Sequence, residues 1–187
     1  MNTRYEDAKR TGTLNVSNMN LETLPTLPDF ILRLDCSNNR LTTLPLLPET
    51  LTGLNCSNNR LLSLTALPDS LTELYCSNNS ITSLPTLPLS LTHMYCNNNQ
   101  LTHLPNIPDS LVHLYCQNNQ LAFLPSLPDS LTYLICTKNP WDEQFAPFLT
   151  HPDPLRAIQS YYKRRNYYNV VVDNMYALLR PIGIVDP

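Results

Sequence analysis

The sequence predicts a solenoid, α/β by convention but mostly β. It combines a parallel sheet of about seven short strands, an extended polyproline-like return side and an α-helical C-terminal cap. Two observations carry this. The frame L-x-x-L-x-C-x-x-N-x-L recurs every twenty residues, at Ile31–Leu41, Leu51–Leu61, Leu71–Ile81, Leu91–Leu101, Leu111–Leu121 and Leu131–Trp141, with a weaker copy at Thr11–Leu21. The six cysteines, Cys36, Cys56, Cys76, Cys96, Cys116 and Cys136, hold one place in that frame without a slip. A fixed period of this length means stacked units, none of which buries its apolar face alone.

The chain divides into an N-terminal cap over 1–10, the solenoid over 11–140 and a helical cap over 141–187. Tyr5–Arg10 fits one helical turn over the first repeat. Within a unit such as Leu91–Ser110, Leu91, Met94 and Cys96 alternate with polar or aromatic residues, the period of a short strand with one buried face. Asn99 follows at the turn, where its amide can satisfy backbone groups of its own and the neighbouring repeat, giving an asparagine ladder. Leu101 and Leu104 point back inward. Pro105-Asn106-Ile107-Pro108 excludes helix and favours extended backbone, and Asp109-Ser110 turns into the next strand. Beyond the frame, Trp141, Phe145, Phe148 and Leu149 fall at i, i+4, i+7, i+8 and predict a helical lid over the open end of the core. Asp153-Pro154 starts a helix. Its stripe runs Leu155, Ile158, Tyr162, then Tyr168, Val171, Val172, Met175 and Leu179, as one helix or two broken near Asn166, with a stop at Arg180-Pro181.

Charged residues are 14% of the chain, well under the usual ~25%, so the surface is rich in Asn, Ser, Thr and Gln. A net charge of −3 gives no strong field to draw in nucleic acid or an acidic membrane. The cysteines read as buried free thiols, because parallel Cβ vectors on neighbouring strands suit a disulfide badly. That favours a reducing compartment and a cytoplasmic location. Met1–Arg10 has no signal-peptide core, and no run of ~18 apolar residues spans a membrane.

The frame resembles the leucine-rich repeat family. The return arms Leu44-Pro45-Leu46-Leu47-Pro48, Leu84-Pro85-Thr86-Leu87-Pro88, Leu104-Pro105-Asn106-Ile107-Pro108 and Leu124-Pro125-Ser126-Leu127-Pro128 narrow the resemblance to the bacterial effector subtype of YopM and IpaH type. Similar cysteine-bearing repeats also occur in large DNA viruses. The resemblance covers residues 11 to 141. It implies a scaffold that binds a protein, directed at a host, without catalysis. Two places depart from the pattern. Met19 stands where the first ladder asparagine belongs, which suits an end repeat, and Thr65 stands for the first proline of one return arm, a variation the frame tolerates. The IpaH resemblance further implies a separate ligase domain with a catalytic cysteine, and the residues after Pro140 contain no cysteine.

Frame positions three and five face outward, onto the concave side of such a sheet. Position five reads Asn15, Asp35, Asn55, Tyr75, Tyr95, Tyr115, Ile135; position three reads Thr13, Arg33, Gly53, Glu73, His93, His113, Tyr133. The second half therefore gathers a candidate partner-binding patch of Glu73, Tyr75, His93, Tyr95, His113, Tyr115 and Tyr133. Tyrosine gives large contact area at small rotamer cost and carries a hydrogen-bonding tip. The alternative is an aromatic ladder that only stabilises the stack.

Two imidazoles without a third ligand make a weak metal site, so no metal or cofactor is expected. His103 and His151 read as surface residues. The turn columns Ser17 to Gln117 and Asn18 to Asn118 read as solvated turns. Asp29, Glu49, Asp69, Asp109 and Asp129 read as turn caps rather than a calcium ladder. The mixed cluster Tyr161–Tyr168 reads as a solvated face of the capping helix. There is no Gly-rich phosphate loop, G-x-S-x-G, H-E-x-x-H or C-x-x-C, so no enzyme is expected. The partner is a protein, with neither nucleic acid nor membrane, and the chain is a monomer or weakly self-associating. A structural, self-associating particle component is the alternative.

Overall fold

The structure, a computed structural model, describes residues 2–143 and 145–165. Seven three-residue strands form one parallel sheet in sequence order: β1 (Thr13–Asn15), β2 (Arg33–Asp35), β3 (Gly53–Asn55), β4 (Glu73–Tyr75), β5 (His93–Tyr95), β6 (His113–Tyr115) and β7 (Tyr133–Ile135). Each strand pairs with the next at a shift of one repeat, Leu14 against Leu34 and on to Leu114 against Leu134. The central residue of each strand points into the core. Leu14, Leu34, Leu54, Leu74, Met94 and Leu114 are buried, as are the leucines and isoleucines that open and close the frames from Ile31 to Leu131. Burying one such side chain contributes about 1.5–3 kcal/mol, and in a stack each burial depends on the neighbouring turns.

All six cysteines are free and buried. Burial raises each thiol above its ordinary value, to about 12 for Cys36 and Cys76 and to about 11 for Cys136.

The asparagine ladder is present. Asn99 Nδ2 donates to the carbonyls of Cys96 at 3.1 Å and of Cys76, one turn back, at 3.0 Å. Its Oδ1 accepts from Ile81 N at 3.0 Å. Asn39 completes the first turn in the same way, taking the Met19 and Leu21 amides on one oxygen. Each asparagine thus serves the turn before it, and Met19, with no earlier turn to serve, needs no amide.

A second asparagine column has a backbone cause that the sequence reading missed. Asn18, Asn38, Asn58, Asn78, Asn98 and Asn118 sit at φ between 55° and 57°, as does Lys138 at 56°. Asparagine tolerates this left-handed region better than most residues, which explains turns made with so little glycine. Their amides also chain along the solenoid, Asn118 Nδ2 to Asn98 Oδ1 and Asn98 Nδ2 to Asn78 Oδ1, both at 2.7 Å.

The turn before each strand works differently from expectation. The hydroxyl just before the strand makes the bond, whether it follows an acid or, as at Ser90, a leucine. Ser70, Ser90, Ser110 and Ser130 donate to the carbonyls of Leu51, Leu71, Leu91 and Leu111. Asp129 pairs with Lys163 of the cap.

Both ends correct the sequence reading. The N-terminal helix α1 spans Asn2–Thr11, ten residues rather than one turn. It packs against β1, and Arg4 Nη1 donates to the Asn15 carbonyl at 2.6 Å, closing the first sheet edge. At the other end helix α2 is only Ala146–Leu149, and it starts no earlier because Pro147 fits no deeper than a first turn. Trp141 and Phe145 reach the core from the preceding turn instead. The lid itself stands: Phe145 is buried, with Trp141, Phe148 and Leu149 packed around the core. A third helix, α3, runs over 154–165. Asp153 caps it, its Oδ1 accepting from Arg156 N at 3.1 Å, and Ile158, Leu155 and Tyr162 face the core. Tyr168, Val171, Val172, Met175, Leu179, the break near Asn166 and the stop at Arg180-Pro181 lie outside the described residues.

Candidate protein-binding face

Strand alternation decides which side chains reach the solvent face of the sheet. With the fourth frame residue buried, the third and fifth face outward, and in-register pairing stacks them one strand apart. Tyr75, Tyr95 and Tyr115 form a continuous ring stack, with centroids 4.7 and 4.4 Å apart and planes inclined by 16° at each step. Tyr133, 47% exposed, closes on Tyr115 at 5.2 Å and on His113 at 5.8 Å. His93 and His113 meet edge to face at 4.6 Å. All are half-buried apart from Tyr133. The faces of the tyrosine rings cover one another, so the stack offers mainly ring edges to solvent. Burial, then the Glu73 carboxylate and the Tyr95 phenol, push the Tyr75 phenol above its ordinary range.

Glu73 is already engaged. Its Oε2 and Oε1 accept from Arg33 Nη1 at 2.9 Å and Nη2 at 3.1 Å. This bidentate pair bridges two strands across Gly53. Gly53 is buried beneath it, although its frame position faces outward; a Cβ there would meet Arg33 Nη1 at 3.2 Å. The hydrogen bonds from Arg33 hold Glu73 below the usual carboxylate range. A shallow hollow of about 210 Å³ lies over this notch, lined by residues that include Asp35, Asn55 and Tyr75. Sequence reading missed the pair; the only signal was opposite charge in one column with a glycine between.

His103 and His151 are exposed, on a return arm and in the cap. Within the described part of the basic-aromatic cluster, the aromatic half turns inward. Tyr162 donates to the Leu124 carbonyl and Tyr161 packs on Phe148, while Lys163, Arg164 and Arg165 are exposed. Tyr167 and Tyr168 lie outside the described residues. Among the described residues no group of three or more His, Cys, Asp or Glu stands close enough to hold a metal ion, and no helix is long and apolar enough to cross a membrane.

A repeat solenoid with a shaped side-chain face defines a class of interaction scaffold, and comparison with known proteins agrees. The leucine-rich repeat family model matches residues 70–89. The chain is similar to YopM from Yersinia enterocolitica WA-314, at 40% identity and a TM-score of 0.71 over 73% of this chain and 32% of that one. It is similar to the leucine-rich effector YopM from Yersinia pestis, at 34% identity and a TM-score of 0.62, covering 73% of this chain and 46% of that one. It also matches a Shigella effector leucine-rich repeat domain at 30% identity and a TM-score of 0.70, over 81% of this chain and 82% of that domain. The chain belongs to the leucine-rich repeat family, with repeats of the bacterial effector type. It spans less than half the length of either YopM chain. No curated protein matches it. The fold and these relatives make it a protein-interaction module.

Proposed function

We propose that this chain binds a partner protein through the concave side of its sheet, without catalysis, and acts as an effector-like scaffold in a reducing compartment such as a host cytoplasm. The patch is Tyr75, Tyr95, Tyr115 and Tyr133 with His93, His113 and Glu73. One observation carries this: three tyrosines stack ring on ring along one half-buried, solvent-facing column. Their rotamer freedom is already spent on stacking, so a partner that covers them loses little further entropy. The test is capture from a eukaryotic lysate by wild type and by Tyr95→Ala/Tyr115→Ala. The variant loses three ring contacts of about 0.5–1.5 kcal/mol each, so its folding is checked by circular dichroism. Loss of the captured protein supports the reading; equal capture removes the patch.

A second reading is self-association. Its observation is a hollow of about 490 Å³ beside the last strand, between Tyr133–Thr137 and the cap residues Leu149, Pro152 and Leu155. Light scattering that shows size growing with concentration would favour it, and a strict monomer would count against it.

A further inference from the structure

The tyrosine column changes character toward the N-terminus, where the same outward frame position holds Asn15, Asp35 and Asn55. Each of these turns its Oδ1 back into its own turn. Asn15 Oδ1 accepts from Ser17 N at 3.0 Å and from Ser17 Oγ at 2.8 Å. Asp35 Oδ1 accepts from Ser37 N at 3.0 Å and from Ser37 Oγ at 2.6 Å. Asn55 Oδ1 accepts from Ser57 N at 3.2 Å. A backbone amide can only donate, so it fixes which end of each asparagine amide it meets. The end that remains on Asn15 and on Asn55 is Nδ2, a donor. Between them Asp35 keeps Oδ2, which as a carboxylate oxygen only accepts. This oxygen has no hydrogen-bond partner among the described residues, and it is not one of the buried unpartnered atoms. It therefore reaches solvent.

Asn15, Asp35, Asn55 and Tyr75 line the hollow of about 210 Å³ over the Arg33–Glu73 pair. The bases beside it are engaged elsewhere. Both terminal nitrogens of Arg33 bond Glu73, and Arg4 Nη1 bonds the Asn15 carbonyl. Among the described residues no cation pairs with Asp35. With Arg33 and Glu73 cancelling, the lining carries one uncompensated carboxylate. Its volume lies below the ~300–1,000 Å³ of small-molecule pockets and suits a single side chain. Tyr75 adds an apolar wall. It is the first ring of the stack, with Tyr95 on one side and Asn55 of β3 across the register on the other.

We propose that this hollow is a socket for one lysine of the docking protein, its ammonium on Asp35 Oδ2 and its methylene stem along Tyr75. This rests on the reading of the sheet as the docking face. Lysine fits better than arginine. A guanidinium fork is strongest on both oxygens of a carboxylate, and Asp35 Oδ1 is already taken by two donors. A compact ammonium needs only one oxygen. A partner carboxylate at the same place would meet the Asp35 charge head on.

The test uses the full chain and short random peptides selected by display on the wild type. Binders that need Tyr95 and Tyr115 should each contain a lysine whose acetylation weakens binding about tenfold. Asp35→Asn should weaken the unmodified peptide to the same degree and leave the acetylated one unchanged. The substitution keeps the turn, because Asn15 makes the same two bonds at the equivalent place, so its urea midpoint should match the wild type. Binders that need the tyrosines but lack a lysine, or that hold Asp35→Asn as tightly as the wild type, overturn the socket and leave the docking face standing. A loss on Asp35→Asn that is equal for the acetylated peptide gives Asp35 a structural role and also overturns the socket. Binders indifferent to the tyrosines, or no binders at all, overturn both.

Discussion

The Arg33 guanidinium grips the Glu73 carboxylate from two strands away, with Nη1 2.9 Å from Oε2 and Nη2 3.1 Å from Oε1. The reach is possible because Gly53, on the strand between, has no side chain to stand in the way. The pair fixes the polar half of the face and holds Glu73 ionised beside the tyrosine stack.

Glu73→Gln should therefore cost about 0.5–1 kcal/mol, the worth of a partly exposed bidentate pair. The sign with pH follows from the depressed carboxylate. The pair's contribution is complete above the ordinary Glu range and is lost as pH falls through the native value. Urea midpoints of wild type and variant should differ at neutral pH and converge in acid. A gap that persists in acid would contradict the pairing.

Asn99→Ala should cost about 1–3 kcal/mol, because it strands the Ile81 amide in a buried turn and leaves the Cys76 and Cys96 carbonyls to Asn79 and Asn119 alone. Asn139→Ala, at the less buried end of the ladder, should cost less. Urea unfolding of both variants checks the order.

Thr65 is a flaw in its return arm rather than a tolerated variation. Its hydroxyl is buried without a partner, while the equivalent places hold Pro25, Pro45, Pro85, Pro105 and Pro125. Thr65→Pro should stabilise the chain by about 1 kcal/mol, by removing an unsatisfied polar group and stiffening the unfolded chain. A lower melting temperature would show that the Thr65 amide has a role the proline removes.

The thiols make stability fall in alkali. Burial raises Cys36 and Cys76 from 9.0 to about 12, so the stability from keeping them protonated is complete below the unfolded thiol's value and is lost as pH rises through the native one. Urea midpoints should drop between those limits, and less steeply for Cys76→Ala. Alkylation by iodoacetamide should be slow in native protein and rapid in urea.

The twenty-residue frame made most of the fold readable. Leucine and cysteine mark buried strand positions, Asn39 to Asn139 mark the ladder, and the prolines of each arm exclude helix. The outward tyrosines and histidines followed from alternation alone. What stayed hidden depends on three-dimensional detail without a periodic trace. Arg33 and Glu73 are forty residues apart and meet only over a missing side chain. The column from Asn18 to Asn118 was visible as monotony, but its left-handed backbone was not. At the cap an apolar stripe from Trp141 to Leu149 imitated a long helix, and Pro147, tolerated only in a first turn, keeps the helix from starting before Ala146.

The central claim is that the tyrosine face is where a partner docks. Site-specific photo-crosslinking tests it most directly, with benzoylphenylalanine at position 115, in the ring stack, and separately at position 46 on a return arm, where Leu46 is 82% exposed. In a eukaryotic lysate the account predicts a covalent protein adduct from position 115 and none from position 46. Adducts from position 46 alone, or equally from both, would contradict it.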